Sequence, residues 1–253
     1  MRALLVGLTI IVATPFFGGL AFLAALFGLP DVEGGVYDWT PRGWARTLLW
    51  AGGVKVHLHN PERISRRGAR IYVSNHVSWY DVFALGGVLP RYKWIAKAEL
   101  GRIPVFGAMA RAAGMVFIDR NNRKGAFAQY DVAATSVRNG ASVIVFPEGT
   151  RGERYAIRPF KKGPFVLAVA AGVPIVPTVV YGTMAVHPKG SWRVQGGDVH
   201  VHFLEEISTE GYTYERRDEL ADLAWSRMAE AMKSLYGIDS GRSDERTPVA
   251  VGN

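Results

Sequence analysis

The N-terminal segment constrains the fold more than any other part of the sequence, because it is long, apolar and uncharged. No charged residue occurs from Ala3 to Leu29, a run of 27 residues bracketed by Arg2 and Asp31. A run of about 18 or more apolar residues is typical of a membrane helix. A signal peptide has a shorter apolar region, of about 7–15 residues, and an A-x-A-like site that is missing here. The segment therefore predicts a membrane anchor rather than a signal peptide or a buried core helix.

Two geometries of this anchor are compatible with its length. As one α-helix, the run would reach roughly 40 Å and would cross a hydrocarbon core of about 30 Å with tilt. Alternatively, Pro15, Gly18 and Gly19 break it into two arms, and the first arm, at about 18 Å, is too short to cross. We favour this second form, which enters one leaflet and returns. The segment that follows mixes aromatic and cationic side chains, as at a membrane interface: Pro41, Trp44, Arg46, Leu48, Leu49 and Trp50.

Beyond the anchor, segments typical of strands alternate with segments typical of helices. Alternating or continuous apolar runs predict strands over residues 54–58, 70–74, 115–118, 142–146, 174–181 and 198–204. Helical spacing predicts helices over residues 99–113, 124–138, 163–171 and 215–236. This order predicts an α/β fold with a mixed, largely parallel sheet flanked by helices. The expected regions are a hydrophobic membrane anchor with an interfacial helix (1–52), one α/β domain (53–236) and a polar, disordered tail (237–253).

The composition indicates a folded domain and limits the classes of partner that a positively charged chain would bind. Hydrophobic residues make up 49% of the chain and charged residues 21%, which is enough apolar material for a core. The net charge of +8 suits nucleic acid, an anionic membrane or an anionic substrate. The cations are spread along the chain rather than gathered on a basic helix or an aromatic sheet face, so no nucleic-acid partner is expected.

Cysteine and histidine usage argues against thiol and metal chemistry. The chain has no cysteine, which excludes disulfides, thiolate metal sites and a cysteine nucleophile. His57 with His59, and His200 with His202, form i, i+2 pairs, but no third ligand at a suitable spacing accompanies either pair. The fingerprints of P-loops, dinucleotide-binding folds and serine hydrolases are also missing. We therefore expect neither a metal nor a resident cofactor.

The first candidate for chemistry is a histidine five positions before an aspartate, in residues 75–81 (NHVSWYD). An imidazole can accept a proton near neutral pH, and a carboxylate beside it would fix its tautomer and stabilise the imidazolium. On a regular helix His76 and Asp81 would diverge by about 140°, and in a strand they would point to opposite faces. They meet only if the chain turns between them, from a strand ending at Ser74 to a helix starting near Asp81. An acid in the first turn of a helix is the alternative role of Asp81.

The second candidate is the segment Phe146–Arg151 (FPEGTR), which follows a predicted buried strand. Ligands of open α/β sheets bind at this carboxyl edge of the strands. Gly149 permits an unusual turn, Thr150 offers a hydroxyl, and Arg151 carries a planar fork suited to a phosphate. A carboxylate repels phosphate, so Glu148 is expected to orient Arg151 or to accept a hydrogen bond from a substrate hydroxyl. The alternative is an ordinary turn with a surface arginine.

Other cations near predicted strand ends could help to bind an anion. Lys97 follows residues 93–96, and Arg120 follows the predicted strand 115–118. Taken one at a time, such side chains are more often solvated charges than ligand contacts. The same holds for three cations after the FPEGTR segment: Arg158, Lys161 and Lys162.

Together these segments resemble the glycerolipid acyltransferase family, specifically the 1-acyl-sn-glycerol-3-phosphate acyltransferases. Four blocks match in the order of the family, within about residues 70–180. The His-x4-Asp block is His76 to Asp81, and the third and fourth blocks are 146–151 (FPEGTR) and 173–177 (VPIVP). The second block comprises Lys97-Ala98-Glu99-Leu100, Pro104, Gly107, Gly114 and Phe117-Ile118-Asp119-Arg120.

The resemblance implies an enzyme that transfers a fatty acyl group from acyl-coenzyme A or acyl carrier protein to the free sn-2 hydroxyl of lysophosphatidic acid. It implies that His76 deprotonates this hydroxyl and that Asp81 holds His76. The headgroup site would comprise Lys97, Arg120, Glu148, Gly149, Thr150 and Arg151. The thioester is a co-substrate, and the implied place of work is a phospholipid membrane, at the cytoplasmic face of the inner membrane of a bacterium.

Three alternatives stay open from the sequence. The acceptor could be another lysophospholipid or a lyso-aminolipid, because relatives share these motifs. The protein could instead be a membrane lipid-binding protein without catalysis, although the intact His76 and Asp81 pair disfavours this. A hydrolase that activates water with the same pair would need the water access that a transferase must restrict.

Overall fold

The computed structural model of the chain describes residues 1–64, 68–104, 106–119 and 123–241. Within these ranges, seven strands form one sheet in the order β1-β7-β6-β2-β5-β3-β4. The strands are β1 (Val54–His59), β2 (Ile71–Ser74), β3 (Tyr92–Lys97), β4 (Val116–Ile118), β5 (Ser142–Val145), β6 (Ile175–Tyr181) and β7 (Gly197–Phe203). Neighbouring strands are parallel except β6 and β7, which are antiparallel. The predicted α/β fold with a mixed, largely parallel sheet is therefore confirmed.

Helices cover both faces of this sheet. The helices of the described residues are α1 (Arg2–Leu26), α2 (Val36–Gly52), α3 (Trp79–Val88), α4 (Phe106–Ala112), α5 (Arg123–Arg138), α6 (Gly163–Ala171), α7 (Thr183–Val186) and α8 (Arg217–Tyr236). Helices α5, α6 and α8 contribute to one hydrophobic core, and α2, α3 and α7 contribute to the other. Three of the predicted helices, 124–138, 163–171 and 215–236, match α5, α6 and α8 to within two residues at either end.

The central strands form because their side chains are apolar on both faces. All residues of β2 and β5 are buried. Along β2, Ile71 and Val73 lie in the core under α5, α6 and α8, whereas Tyr72 lies in the core under α2 and α3. Full burial of such a side chain contributes about 1.5–3 kcal/mol of transfer free energy. Strands that are covered on both faces are continuous apolar runs in the sequence, which is why these strands could be predicted.

The predicted helix over residues 99–113 is wrong in its first half. A 3₁₀ turn covers Ala98–Arg102, and α4 begins only at Phe106. Between them Ile103 is extended, with φ −65° and ψ 121°. The next residue is Pro104, and the proline ring disfavours a helical conformation of the residue before it. The helical spacing of the apolar residues is therefore interrupted at one position.

The predicted break of the anchor at Pro15, Gly18 and Gly19 is also wrong, because α1 runs through all three residues. The chain turns back only after Leu26, and α2 returns along α1. The indole N–H of Trp44 on α2 donates to the hydroxyl of Thr14 at 3.0 Å. Packing against a neighbouring helix is what allows proline and glycine inside apolar helices.

Most large side chains of α1 are exposed, including Leu4, Leu8, Ile11 and Phe16. In its most apolar window of 18 residues, the mean hydropathy is 2.1 and only 11% of the residues are buried. Helix α1 is therefore long enough and apolar enough to cross a membrane, by length and composition. Most of the predicted tail, residues 242–253, lies outside the described residues.

Candidate active site

The loop that carries His76 is fixed at the edge of the sheet where β2 and β6 end. Strand β2 ends at Ser74, and the buried Asn75 follows it directly. The Asn75 side chain donates to the carbonyl of Val180 at 2.9 Å and accepts from the Val180 N–H at 2.8 Å. This pair of hydrogen bonds ties the start of the loop to β6. The backbone position of His76 is thereby set by two strands rather than by the loop alone.

His76 and Asp81 are in direct contact, because the chain turns between them. Ser78 is the N-cap of α3, and Asp81 lies in the first turn of that helix. His76 Nδ1 and Asp81 Oδ2 are 2.9 Å apart. An ionised carboxylate only accepts, so Nδ1 carries the proton of this hydrogen bond and Nε2 is the ring nitrogen left to accept one.

Asp81 is fully buried and accepts hydrogen bonds on both of its oxygens. The Oδ2 atom also accepts from the backbone N–H groups of Val77 and Ser78, at 2.7 and 2.8 Å. The Oδ1 atom accepts from the hydroxyl of Thr183, at 2.5 Å. A buried carboxylate without partners would cost several kcal/mol, so these donors are what allow the charge to remain beside His76. Asp81 is thus both a first-turn acid of α3 and the partner of the histidine.

Tyr155 fixes the position of Thr183. Its hydroxyl accepts from the backbone N–H groups of Gly182 and Met184, at 2.9 and 2.8 Å, which flank Thr183. Burial raises the pKa of Tyr155 to about 12, so its hydroxyl keeps its proton at neutral pH. Neither Thr183 nor Tyr155 lies in a recognisable motif, so neither was predicted from the sequence. Thr183 follows β6 by two residues, but the strand order places β6 beside β2, and no motif predicts that order.

One aromatic ring covers a face of His76, and a second ring backs it. The ring of Phe146 stacks on the imidazole, with centroids 4.0 Å apart and an angle of 13° between the rings. Trp94 in turn stacks on Phe146, with centroids 5.7 Å apart. The His76 side chain keeps 13% of its surface exposed. The imidazole is therefore held in one orientation while part of it stays open to a substrate.

Glu148 holds the backbone of His76, and its cationic partner is Arg158. One carboxylate oxygen accepts from the His76 backbone N–H at 3.0 Å, and the other accepts from Arg158 Nε at 2.7 Å. Burial raises the pKa of Glu148 to about 7, although the hydrogen bonds from Arg158 and His76 and the charge of Arg158 act to lower it. Of the two roles expected for Glu148, orienting Arg151 is not the one observed, because the cation that it holds is Arg158, and accepting from a substrate hydroxyl stays a prediction. Arg158 lies ten positions after Glu148, and no sequence pattern predicts a contact at that spacing.

The rest of the FPEGTR segment wraps around His76. Gly149 has φ +82°, a left-handed conformation that side chains rarely adopt. Thr150 is exposed, and its carbonyl accepts from Arg158. The guanidinium of Arg151 lies over the ring of Trp79, 5.0 Å from the ring centroid. The next residue, Gly152, donates its N–H to the His76 carbonyl at 2.7 Å.

Of the two remaining predicted contacts, Lys97 lies farther along the sheet. Lys97 is exposed at the end of β3. Strand β5 separates β3 from β2, so Lys97 is about 10 Å from the end of β2 across the sheet. Arg120 lies outside the described residues. The structure thus brings together His76, Asp81 and the FPEGTR segment, with Lys97 at the same edge.

The four strand histidines form a stack rather than a converging ligand set. His59 and His202 stack with centroids 4.0 Å apart and 7° between the rings, and His57 stacks on His200 at 5.0 Å. Among the residues that the structure describes, no group of three His, Asp or Glu side chains is placed to hold a metal ion.

Comparison with known proteins places this geometry in a family. The Acyltransferase family model matches residues 55–181, about half of the chain, including His76, Asp81 and the FPEGTR segment. A 1-acyl-sn-glycerol-3-phosphate acyltransferase of Haemophilus influenzae is 33% identical over 193 residues, which cover 74% of this chain and 80% of the relative. The chain belongs to the 1-acyl-sn-glycerol-3-phosphate acyltransferase family. The resemblance of the motifs is thereby confirmed.

Eukaryotic members of the family are similarly close to this acyltransferase but longer. The 1-acyl-sn-glycerol-3-phosphate acyltransferase of Cocos nucifera is 33% identical over 79% of this chain and 67% of its own length. The human beta form is 36% identical over 68% of this chain and 63% of its own length.

A solved structure resembles this acyltransferase over nearly its whole length. It is the 1-acyl-sn-glycerophosphate (LPA) acyltransferase PlsC from Thermotoga maritima, with a TM-score of 0.77 and 26% sequence identity. The match covers 95% of this chain and 97% of that chain. The likeness therefore includes helices as well as the central sheet.

Proposed function

We propose that this protein transfers a fatty acyl group from a thioester to the sn-2 hydroxyl of lysophosphatidic acid, giving phosphatidic acid. The observation that carries the proposal is the contact of His76 with the fully buried Asp81, at the sheet edge where the FPEGTR segment lies. Family membership supports the acceptor, since the relatives are named for it. Coenzyme A or acyl carrier protein would carry the acyl group, so the reaction needs no further cofactor.

The proposed reaction runs by general-base catalysis at His76. The Nε2 atom accepts the proton of the lysophosphatidic acid hydroxyl while the hydroxyl oxygen attacks the thioester carbonyl. Asp81 stabilises the imidazolium that forms. When the tetrahedral intermediate collapses, the C–S bond breaks, and the imidazolium returns its proton to the departing thiolate. The acyl group passes directly between substrates, and no acyl-enzyme forms.

The headgroup site is proposed at the FPEGTR segment. Arg151, half-buried over Trp79, offers two parallel N–H donors to a phosphate. Gly149 and Thr150 shape the turn that presents it, and Lys97, at the end of β3, and Arg120 would add positive charge. Glu148 contributes indirectly, since its two oxygens hold the His76 backbone and Arg158.

Arg151→Ala is expected to raise the KM for lysophosphatidic acid by roughly 10-fold or more, because a hydrogen bond to a charged group is worth about 1.5–3 kcal/mol. The value of kcat should change little. Monoacylglycerol, which lacks the phosphate, should be a poor acceptor for wild type and should be used equally by the variant. Arg154→Ala, an exposed arginine three residues on, is the matched control. An unchanged acceptor KM would remove Arg151 from the headgroup site.

Thr183→Val is expected to lower kcat by about tenfold, because Asp81 loses the donor to its Oδ1 atom. The KM values of acceptor and donor should stay the same, since Thr183 is proposed to act through Asp81 alone. Thr183→Ser keeps the hydroxyl and should restore most of the rate. A Ser variant as slow as the Val variant would show that packing, and not the hydrogen bond, is what Thr183 supplies.

The proposed place of work is the cytoplasmic face of the inner membrane of a bacterium. The apolar helix α1 would hold the enzyme at the membrane where an insoluble acceptor resides. The net charge of +8 favours anionic lipid and a phosphorylated acceptor. The family resemblance implies that the acyl thioester is made in the cytoplasm, which supports this face.

A further inference from the structure

An exposed tryptophan projects from the loop between α7 and β7, residues 187–196, here called the Trp192 loop. The Trp192 side chain is 93% exposed. Both ends of the loop are nevertheless fixed. The Ser78 hydroxyl donates to the carbonyl of His187 at 2.8 Å, and the Gln195 N–H donates to the last residue of α7 at 2.8 Å. The indole is therefore exposed although the loop that carries it is held at both ends.

The Trp192 loop lies beside the first turn of α1. A Cβ atom at Gly196 would fall 1.4 Å from Arg2 Nη1, so the guanidinium of Arg2 lies directly against this backbone. The N–H of Gly197 donates to the carbonyl of Gly53, just beyond the end of α2, at 3.2 Å. Trp192 precedes Gly196 by four residues, so their Cα atoms are at most about 14 Å apart.

Exposed apolar side chains also lie on the neighbouring parts of α1 and α2. Trp50, near the end of α2, is 72% exposed, and Leu4 and Leu8 on α1 are 69% and 54% exposed. Leu8 and Trp50 line one shallow groove of about 260 Å³ between α1 and α2. A single exposed apolar residue needs no explanation, but a cluster continuous with an apolar helix marks an interaction surface.

The charges at this surface select its partner. Arg193 is exposed next to Trp192, and Lys189 is exposed and paired with Glu153 at 3.0 Å. Aromatic rings mixed with cations are typical of the headgroup layer of a membrane, and cations near the surface favour anionic lipid. We propose that the Trp192 loop is a second membrane contact, which inserts its indole into the headgroup layer of an anionic phospholipid bilayer beside α1.

This contact would place the candidate active site at the lipid surface. Ser78, which holds the start of the Trp192 loop, also caps α3, the helix that carries Asp81. A loop inserted at one end and bonded to the cap of α3 at the other keeps His76 next to the headgroup layer. The proposal rests on the proposed acylation of a membrane lipid, but its test does not depend on activity.

The natural lack of cysteine allows a direct test with single labels. Trp192→Cys and Leu235→Cys would each carry an environment-sensitive fluorophore in the otherwise unchanged full chain. Leu235 is 48% exposed on α8, which covers the opposite face of the sheet, and is the matched control. Each protein is placed in vesicles that contain phosphatidylglycerol. The label at position 192 should shift to the blue, lose quenching by iodide and gain quenching by nitroxide-labelled phospholipid, whereas the label at 235 should not.

Adding Arg193→Gln should lower the ratio of inserted to solvent-exposed label at position 192 by roughly fivefold. One cation near an anionic surface contributes about that factor. A label at 192 that stays as open to iodide as the label at 235 would overturn the proposal. So would a shift that appears without vesicles as protein concentration rises, which would indicate a second copy of the chain. Acyl transfer is measured on the same vesicles, so that a failure of loop insertion can be distinguished from a failure of the proposed function.

Discussion

His76→Ala is expected to lower kcat by about 10²–10⁴-fold, the contribution of a positioned general base. Without the imidazole, no group near the acceptor hydroxyl takes up its proton as the oxygen attacks. The KM for lysophosphatidic acid should change little, because the proposed phosphate contacts lie on Arg151. Steady-state kinetics with saturating thioester would measure both values.

Two controls keep this result specific. His200→Ala removes an imidazole from β7, in the histidine stack and away from Asp81, and should keep the wild-type rate. The thermal unfolding temperature of His76→Ala should be recorded, because the variant also loses the stacking on Phe146. A His76→Ala rate within threefold of wild type would contradict the assigned base.

Arg158→Ala is expected to have the second largest effect, on stability as well as on rate. The substitution leaves the buried Glu148 without its cationic partner and its hydrogen bond. Removing one member of a buried ion pair costs about 3–5 kcal/mol, and the partial exposure of Arg158 reduces our expectation to about 2 kcal/mol. For a chain of this size, Tm should fall by roughly 4–8 °C.

The rate should fall as well, because Glu148 holds the backbone N–H of His76. Arg158 acts to lower the pKa of Glu148, so the variant carboxyl should be protonated at neutral pH to a larger extent than in wild type. Combining Arg158→Ala with Glu148→Gln removes the buried charge and should recover part of the stability. If the losses of stability from Arg158→Ala and from Glu148→Gln simply add in the double variant, the two side chains are not coupled.

The central part of the fold could be predicted from the sequence because burial on both faces leaves a strong signal. Strands β2, β5 and β6 are continuous apolar runs, and two of them end directly before the polar motifs. The errors occur where one residue competes with a longer pattern. Pro104 interrupts the apolar spacing of 99–113, whereas Pro15 does not interrupt α1, which packs against α2 and α4. The proline therefore ends the helical pattern at Pro104, whereas at Pro15 the packing of α1 against its neighbours keeps the helix continuous.

The site shows the same limit. The spacing of His76 and Asp81 requires a turn, so their contact could be predicted from local chain geometry. The partners Thr183 and Arg158 could not, since they reach the site through the order of strands in the sheet and through a long loop. Local spacing predicted the pair that is proposed to react, and only the fold showed which groups hold that pair in place.

The most direct test of the central claim is the product formed by the purified full-length wild type in detergent. A labelled acyl-coenzyme A or acyl carrier protein is supplied with lysophosphatidic acid, and lipid products are separated and identified. We predict labelled phosphatidic acid, with the label on the sn-2 oxygen, and far less product from monoacylglycerol. If labelled phosphatidic acid is absent with both donors while another lysophospholipid is acylated, the proposed acceptor is contradicted. If no acceptor is acylated, the proposed reaction itself is contradicted.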